Sequence, residues 1–281
     1  MRSCAASLRT NRADSTVGRL EELKKTVSAS RLNCFHSCRL KFYFRYVLEL
    51  SKATSPALFF GKAVHWALQQ WSKTRWRGGI VDPISLQSEF NSNWEMAQTL
   101  DQVDWEKDEE TNQRDKAWGL VEMYLRETPI PYDEKPEGVE VVVEADLSSG
   151  PKLVGVIDLV RPKGKVVDFK TSATTPQADH AIHRNLTQLT AYGILHREAT
   201  GQEASGFELH HLIKTKTPKL VVTTAERMTS GEEDRFHRLV DSYINGIDLE
   251  DWVPSPGMQC LSCEFFHECS KHQHSSGGMG S

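Results

Sequence analysis

The stretch LVGVIDLVRPKGKVVDFKTS sets Asp158, Asp168 and Lys170 into two short β-branched runs. The runs are separated by Pro162, Lys163 and Gly164, the punctuation of a tight hairpin, so the two strands should lie side by side. Asp158 near the end of the first and Asp168 in the second would then bring two carboxylates together, which like-charge repulsion opposes unless a cation sits between them. Mg²⁺ or Mn²⁺ suits such a place, because hard divalent ions prefer carboxylate and carbonyl oxygens. Strand alternation puts Asp168 and Lys170 on one face and Phe169 on the other. The Phe169 backbone carbonyl is open to serve as a further ligand, and the Lys170 ammonium could orient or help deprotonate an attacking water. Such a set suits metal-assisted hydrolysis of a phosphodiester. An isolated D-x-K is also the pattern of an ordinary cross-strand ion pair.

The elements around the hairpin narrow the choice. After a Thr/Pro-rich loop, HRNLTQLTAYGILHRE reads as an amphipathic helix with Gln188 and Tyr192 four residues apart on one face. Upstream, LFFGKAVHWALQQW reads as a helix over 61–76 carrying His65, which taken alone is the pattern of a hydrogen-bonded core histidine. Together these segments resemble the RecB-family nucleases of the PD-(D/E)xK superfamily, close to the CRISPR-associated and AddB-type members. The resemblance implies that His65 of the G-x-x-x-H helix, Asp158, Asp168 and the Phe169 carbonyl hold the catalytic metal. It implies that Lys170 stabilises developing charge or orients the nucleophile, and that Gln188 and Tyr192 position substrate. The implied reaction is in-line attack on a DNA phosphodiester, leaving 5′ phosphate and 3′ hydroxyl, by an exonuclease of recombination, repair or CRISPR spacer processing.

Six cysteines fall as Cys4, Cys34 and Cys38 near one end and Cys260, Cys263 and Cys269 near the other. The second trio, C-x2-C-x5-C in MQCLSCEFFHECS, can converge on one centre but supplies three thiolates, so a fourth must come from elsewhere. Cys34 and Cys38 in SASRLNCFHSCRLKFYFRYVLEL are both available. Spacing does not separate tetrahedral zinc from an iron–sulfur site. Disulfides are not expected, since no secretory signal precedes them. The segment resembles the family pattern S-x-S-x-L-x-x-F-x-x-C-P-x-K-(F/Y), with Arg39 in place of the proline. That register selects Cys38 and implies a 4Fe-4S cluster on Cys38, Cys260, Cys263 and Cys269; Cys34 reads as a buried small hydrophobe or a nearby spectator. Such a site would staple together segments more than 200 residues apart.

The fold expected is α/β: a PD-(D/E)xK restriction-endonuclease-like core, a mixed central sheet flanked by helices, with a mainly helical insertion and the cysteine-stapled region. A disordered leader is expected over 1–27, a single nuclease domain over 28–271 and a flexible tail over 272–281. A helix is expected over about 30–47. The insertion spans about 77–137, where Trp94, Trp105, Trp118 and Tyr124 recur at helical spacing around the acidic DWEKDEE. VEVVVEADL opens the sheet, with Glu144 an edge or supporting charge; GFELHHLIKT and KLVVTTAE add strands, and a helix over about 230–246 leads to the cysteines. With 38% hydrophobic residues in 281, the chain can bury a substantial core. No apolar run is long enough to span a bilayer, so a cytoplasmic protein without a membrane partner is expected.

A formal charge of −4 gives no global attraction to phosphates, so DNA, as single strands or duplex ends, must be held by local patches. Candidates are Arg39, Lys41 and Arg45; Lys73, Arg75 and Arg77; and Lys214, Lys216 and Lys219. The chain has no GxxxxGK[ST] phosphate loop, so any unwinding must come from a helicase or other recombination or CRISPR proteins. A DNA-binding or scaffold subunit with the same fold is the alternative to a working nuclease.

Overall fold

A computed structural model describes residues 17–106, 109–148 and 150–275, the side chains of 273–275 excepted. Cys4, the first sixteen residues of the expected leader and the tail beyond 275 lie outside the described residues. Residues 17–25 form a helix (α1) and Thr26–Val27 a strand (β1), so ordered structure begins inside the stretch expected to be leader. Two compact units emerge, one from residues up to 52, 144–154 and 230 onward, the other from 53–143 and 155–229.

The second unit opens with α4 (Pro56–Trp76), capped by Ser55, whose side chain accepts the Leu58 N–H, with proline in the first turn. α5 (Pro83–Leu100) and α6 (Glu109–Glu127) follow, so the insertion expected to be mainly helical contains two helices. Phe59, Phe60, Val64, Leu68 and Trp71 of α4 join Phe90 and Trp94 of α5 and Val121 and Tyr124 of α6 in one buried cluster. β2 (Gly138–Asp146) and β3 (Lys152–Arg161) come next in the chain. β4 (Lys165–Ser172) pairs antiparallel with β3 across the expected turn, where Lys163 and Gly164 both take positive φ. β5 (Gly206–Ile213) lies parallel to β4, reached through α7 (Ala178–Thr200), and β6 (Lys219–Ala225) returns antiparallel to β5. The path β1-β3-β4-β5-β6, with β2 also on β3, is a mixed sheet, as the resemblance implies.

β5 is buried along its whole length, as a central strand covered on both faces must be. Val167 and Phe169 of β4 point into the cluster with α4 and α6, so Asp168 and Lys170 face α7. A buried polar network pins β3 to β5: Arg161 donates to both Glu134 and Glu208, Glu208 meets His210, and the Tyr124 hydroxyl meets His210 Nδ1 at 2.8 Å.

The first unit holds α1 and β1, the latter parallel to the start of β3. The single helix expected over 30–47 is instead α2 (Ala29–Ser37) and α3 (Arg39–Phe42), running into a π-helical turn at Tyr43–Val47. The break is Cys38, whose extended backbone (φ −165°, ψ 110°) ends one helix and caps the next, its sulfur accepting the Lys41 N–H. α8 (Ser230–Asp248) has the acidic first turn that a helix dipole favours, and Tyr243 on its buried face donates to the Leu23 carbonyl. A 3₁₀ turn at Met258–Ser262 and α9 (Phe266–Ser275) follow, so the expected tail is helical through 275.

Candidate functional site

The β3–β4 ladder stops at Leu159↔Val167, one pair short of setting Asp158 opposite Asp168. Beyond it the Phe169 N–H donates to Asp158 Oδ2 at 3.1 Å, a carboxylate taking the place of a strand carbonyl. The strands part at the point where α4 presents His65, whose Nδ1 lies 3.6 Å from the same Asp158 oxygen. α4 comes this close because Gly61 sits one turn before His65: a Cβ there would stand 3.2 Å from Thr171 Oγ1 on β4.

On the α7 side, Asp168 is 2% exposed and has three partners. Gln188 Nε2 donates to Asp168 Oδ1 at 2.9 Å, the Tyr192 hydroxyl reaches the same oxygen at 3.2 Å, and Lys170 Nζ lies 2.6 Å from Oδ2. Gln188 also accepts from Lys170 at 2.8 Å and meets Tyr192 at 2.8 Å, so the amide ties together acid, base and phenol. The six side chains expected from the sequence form two contacting sets on either side of Phe169: His65 with Asp158, and Asp168 with Lys170, Gln188 and Tyr192.

The electrostatics are those of two acids sharing a low-dielectric place. Burial and the Asp168 charge push the Asp158 carboxyl well above the usual carboxylate range, a rise the Phe169 N–H only partly offsets. Burial lowers His65, opposed by Asp168 and the Phe169 carbonyl; its side chain keeps 35% exposure, so it is crowded rather than sealed from water. Burial and the two aspartates raise the Tyr192 phenol, which stays a hydrogen-bond donor.

Three observations bear on whether a metal fits. Asp168 Oδ2 is buried and has no directed hydrogen bond, although Lys170 Nζ is in ion-pair contact; the ammonium is near enough for attraction but not aligned to donate. The Asp158 carboxyl is raised first by burial and then by the Asp168 charge, a repulsion that a cation between the two would relieve. The donors, imidazole, two carboxylates and a main-chain carbonyl, are those of hard divalent ions. Among the described residues no three His, Cys, Asp or Glu side chains already stand at metal-binding spacing. The reason lies in the partners: Asp158 is turned to the Phe169 N–H and Asp168 to Gln188 and Tyr192. The set fits a divalent cation by the chemistry of its donors.

Sequence reasoning missed Glu140. A cavity of about 480 Å³ beside His65 is lined by Leu58, Lys62, Trp66, Gln69 and Thr171, with Glu140 from β2. The Glu140 charge adds to the rise of Asp158, and burial raises Glu140 itself. Glu144, the residue weighed from the sequence, is exposed. Strand parity groups the two glutamates; a φ of +51° at Glu140 is a local backbone kink that no pattern of residue types announces.

Of the three basic patches, the entry-helix one is committed elsewhere, and the second loses its central residue. Arg75 is buried, stacks on Trp71 at 4.4 Å and donates to the carbonyls of Pro131, Tyr132 and Glu134, so it organises a loop and is closed to phosphate. Arg39 pairs with Asp251, and Lys41 and Arg45 both pair with Glu264.

In the first unit, Cys38, Cys260, Cys263 and Cys269 line one small cavity of about 40 Å³, walled by Phe44, Phe265, Phe266, Pro254 and Pro256. Burial and then the neighbouring thiols of Cys38, Cys263 and Cys260 push the Cys269 thiol up. Cys34 is buried away from that cavity. The four cysteines thus share the lining of one apolar cavity, and among the described residues they do not form a metal-binding group.

Comparison with known proteins adds the family. The chain matches the model of the PD-(D/E)XK nuclease superfamily over residues 26–270. No curated protein sequence matches it. Among solved structures, a putative exonuclease from Eubacterium rectale superposes with a TM-score of 0.58 at 16% identity, covering 87% of this chain and 89% of that one. At that identity the likeness is one of fold. The structure of SSO0001 aligns over 81% of this chain and 89% of its own at 13% identity, with a TM-score of 0.37, too low to carry weight. No helix among the described residues is long and apolar enough to cross a membrane. Because the family match runs over most of its length, the chain belongs to the PD-(D/E)XK nuclease superfamily, whose members typically use Mg²⁺ or Mn²⁺.

Proposed function

We propose that the protein is a Mg²⁺- or Mn²⁺-dependent deoxyribonuclease, an exonuclease of the RecB-like branch that works in recombination, repair or CRISPR spacer processing. The observation that carries this reading is the hydrogen-bonded set of Asp168, Lys170, Gln188 and Tyr192 facing Asp158 and His65 where β3 and β4 part. His65, Asp158, Asp168 and the Phe169 carbonyl would hold the metal. When bound, the ion supplies an activated water and neutralises charge on the scissile phosphate. Lys170, held by Gln188, balances the charge that develops on the phosphoryl oxygens or orients the incoming water. Tyr192 and Gln188 fix the Asp168 carboxylate and position the substrate backbone, so that geometry is set before substrate arrives. Exonuclease action draws support from the named activity of the Eubacterium rectale protein of similar fold.

The same reading assigns a 4Fe-4S cluster to Cys38, Cys260, Cys263 and Cys269, supported by their shared cavity and its apolar walls. It also keeps residues 28–271 as a single nuclease domain in which the cluster acts as a staple, and looks to a helicase for unwinding. Incubation of end-labelled linear DNA and of circular single-stranded DNA with Mn²⁺ tests the activity. Stepwise release of nucleotides from linear DNA with intact circles is expected. A protein that binds DNA but cuts neither form, with or without Mn²⁺, is the scaffold subunit instead.

A further inference from the structure

The largest cavity described in the second unit, about 700 Å³, has no part in the site above. Lys116 and Leu120 of α6 form one wall, and Lys214, Lys216 and Pro218 of the β5–β6 turn form the other. Lys41, Lys52 and Lys62 are all engaged by carboxylates. In contrast, among the described residues no carboxylate stands within ion-pair distance of Lys116, Lys214 or Lys216, and Asp115 is the single acid in the lining. Lys116 and Lys216 are exposed; Lys214 is half-buried, its ammonium 4.8 Å from the centre of the Phe60 ring.

This groove adjoins the catalytic cavity through three residues. The Lys214 N–H donates to the carbonyl of Ser172, the last residue of β4, four positions beyond Asp168. Thr171, just before it, lines the catalytic cavity and touches Gly61. Gly61 is in turn the neighbour of the Phe60 ring on which Lys214 rests. From Asp168 to Ser172 the strand rises about 13 Å, so a polynucleotide seated at the carboxylates reaches the lysines with its neighbouring phosphates.

We propose that Lys116, Lys214 and Lys216 form the track for the phosphate backbone of single-stranded DNA leading to the catalytic carboxylates. This rests on the nuclease reading and adds the direction of approach, along the C-terminal ends of β4 and β5. A strand suits the groove because ammonium groups without a carboxylate partner attract phosphates regardless of sequence. It also explains how a chain of net charge −4 holds a polyanion: the positive field is local and lies next to the chemistry.

The test is fluorescence anisotropy of a labelled oligothymidine against the full chain in EDTA, with the salt varied, for the parent and for Lys116→Gln/Lys214→Gln/Lys216→Gln. Each phosphate contact contributes about −0.7 to the slope of log K against log salt on single strands, so the triple variant should lose about 2 from the slope. At 0.1 M salt its binding should be weaker by on the order of 100-fold. Should the triple variant unfold, Lys216→Gln alone, exposed and unpaired, should lose about 0.7. A folded variant whose slope equals the parent's overturns the groove and leaves the nuclease reading standing. A parent that binds no DNA at any salt overturns both.

Discussion

Replacing Lys170 by methionine keeps the length of the side chain and removes its charge, which isolates what the ammonium does. Asp168 is 2% exposed, and Lys170, 2.6 Å away, is its cationic partner; Gln188 and Tyr192 supply only neutral hydrogen bonds. Breaking a fully buried pair costs about 3–5 kcal/mol. The Lys170 side chain keeps 27% exposure, so water takes over part of the role and the expected loss falls to roughly 1–3 kcal/mol. For a chain of this size that lowers the melting temperature by roughly 3–10 °C. The loss should appear in EDTA and shrink in saturating Mn²⁺, because a divalent ion on Asp168 replaces the missing positive charge. Catalysis should not recover with it: an ammonium that balances charge in the transition state is worth on the order of 10²–10³ in kcat. The assays are thermal unfolding with EDTA and with Mn²⁺, beside release of label from DNA ends. A variant that melts within about 1 °C of the parent in EDTA, or cleaves within about threefold of it, refutes the role given to Lys170.

Other residues give independent tests. Asp158 is protonated more readily in the folded protein than in the unfolded chain, so in EDTA stability should fall as pH rises above the ordinary carboxylate range, since the native state there binds the extra proton. Asp158→Asn should flatten that fall in urea titrations between pH 5 and 9 while abolishing Mn²⁺-dependent cleavage; a parent whose metal-free stability does not fall with pH contradicts the reading of the site. Tyr124→Phe leaves the buried His210 Nδ1 without its partner and should cost about 1–3 kcal/mol by urea unfolding, with kcat unchanged. Cys38→Ser should give colourless protein where the parent, purified without oxygen, is brown and carries iron, whereas Cys34→Ser, outside the cavity, should stay brown. A colourless parent with one zinc per chain replaces the cluster with a zinc staple.

The β3–β4 hairpin was readable because every signal in it is local. Pro162, Lys163 and Gly164 mark the turn, and the two-residue period settles that Asp168 and Lys170 share a face while Phe169 enters the core. Gln188 and Tyr192 needed only helical spacing. Placing His65 beside Asp158 required the family resemblance, since nothing local says that a helix 90 residues upstream packs over β4 through Gly61. What was missed is set by tertiary context. Cys38 breaks its helix although no proline or glycine stands there. Arg75 looks like surface charge at a helix end and is buried on Trp71 by the fold of residues 131–134. Glu140 enters the site through a positive φ that strand periodicity does not encode.

The central claim, that His65, Asp158 and Asp168 close on one hard cation, is tested most directly by anomalous diffraction from crystals grown with Mn²⁺. The account predicts one strong peak within about 2.5 Å of both carboxylates, the Phe169 carbonyl and the His65 imidazole, distances of an oxygen-rich divalent site. Manganese found only elsewhere, with Asp158 still turned to the Phe169 N–H, would contradict it.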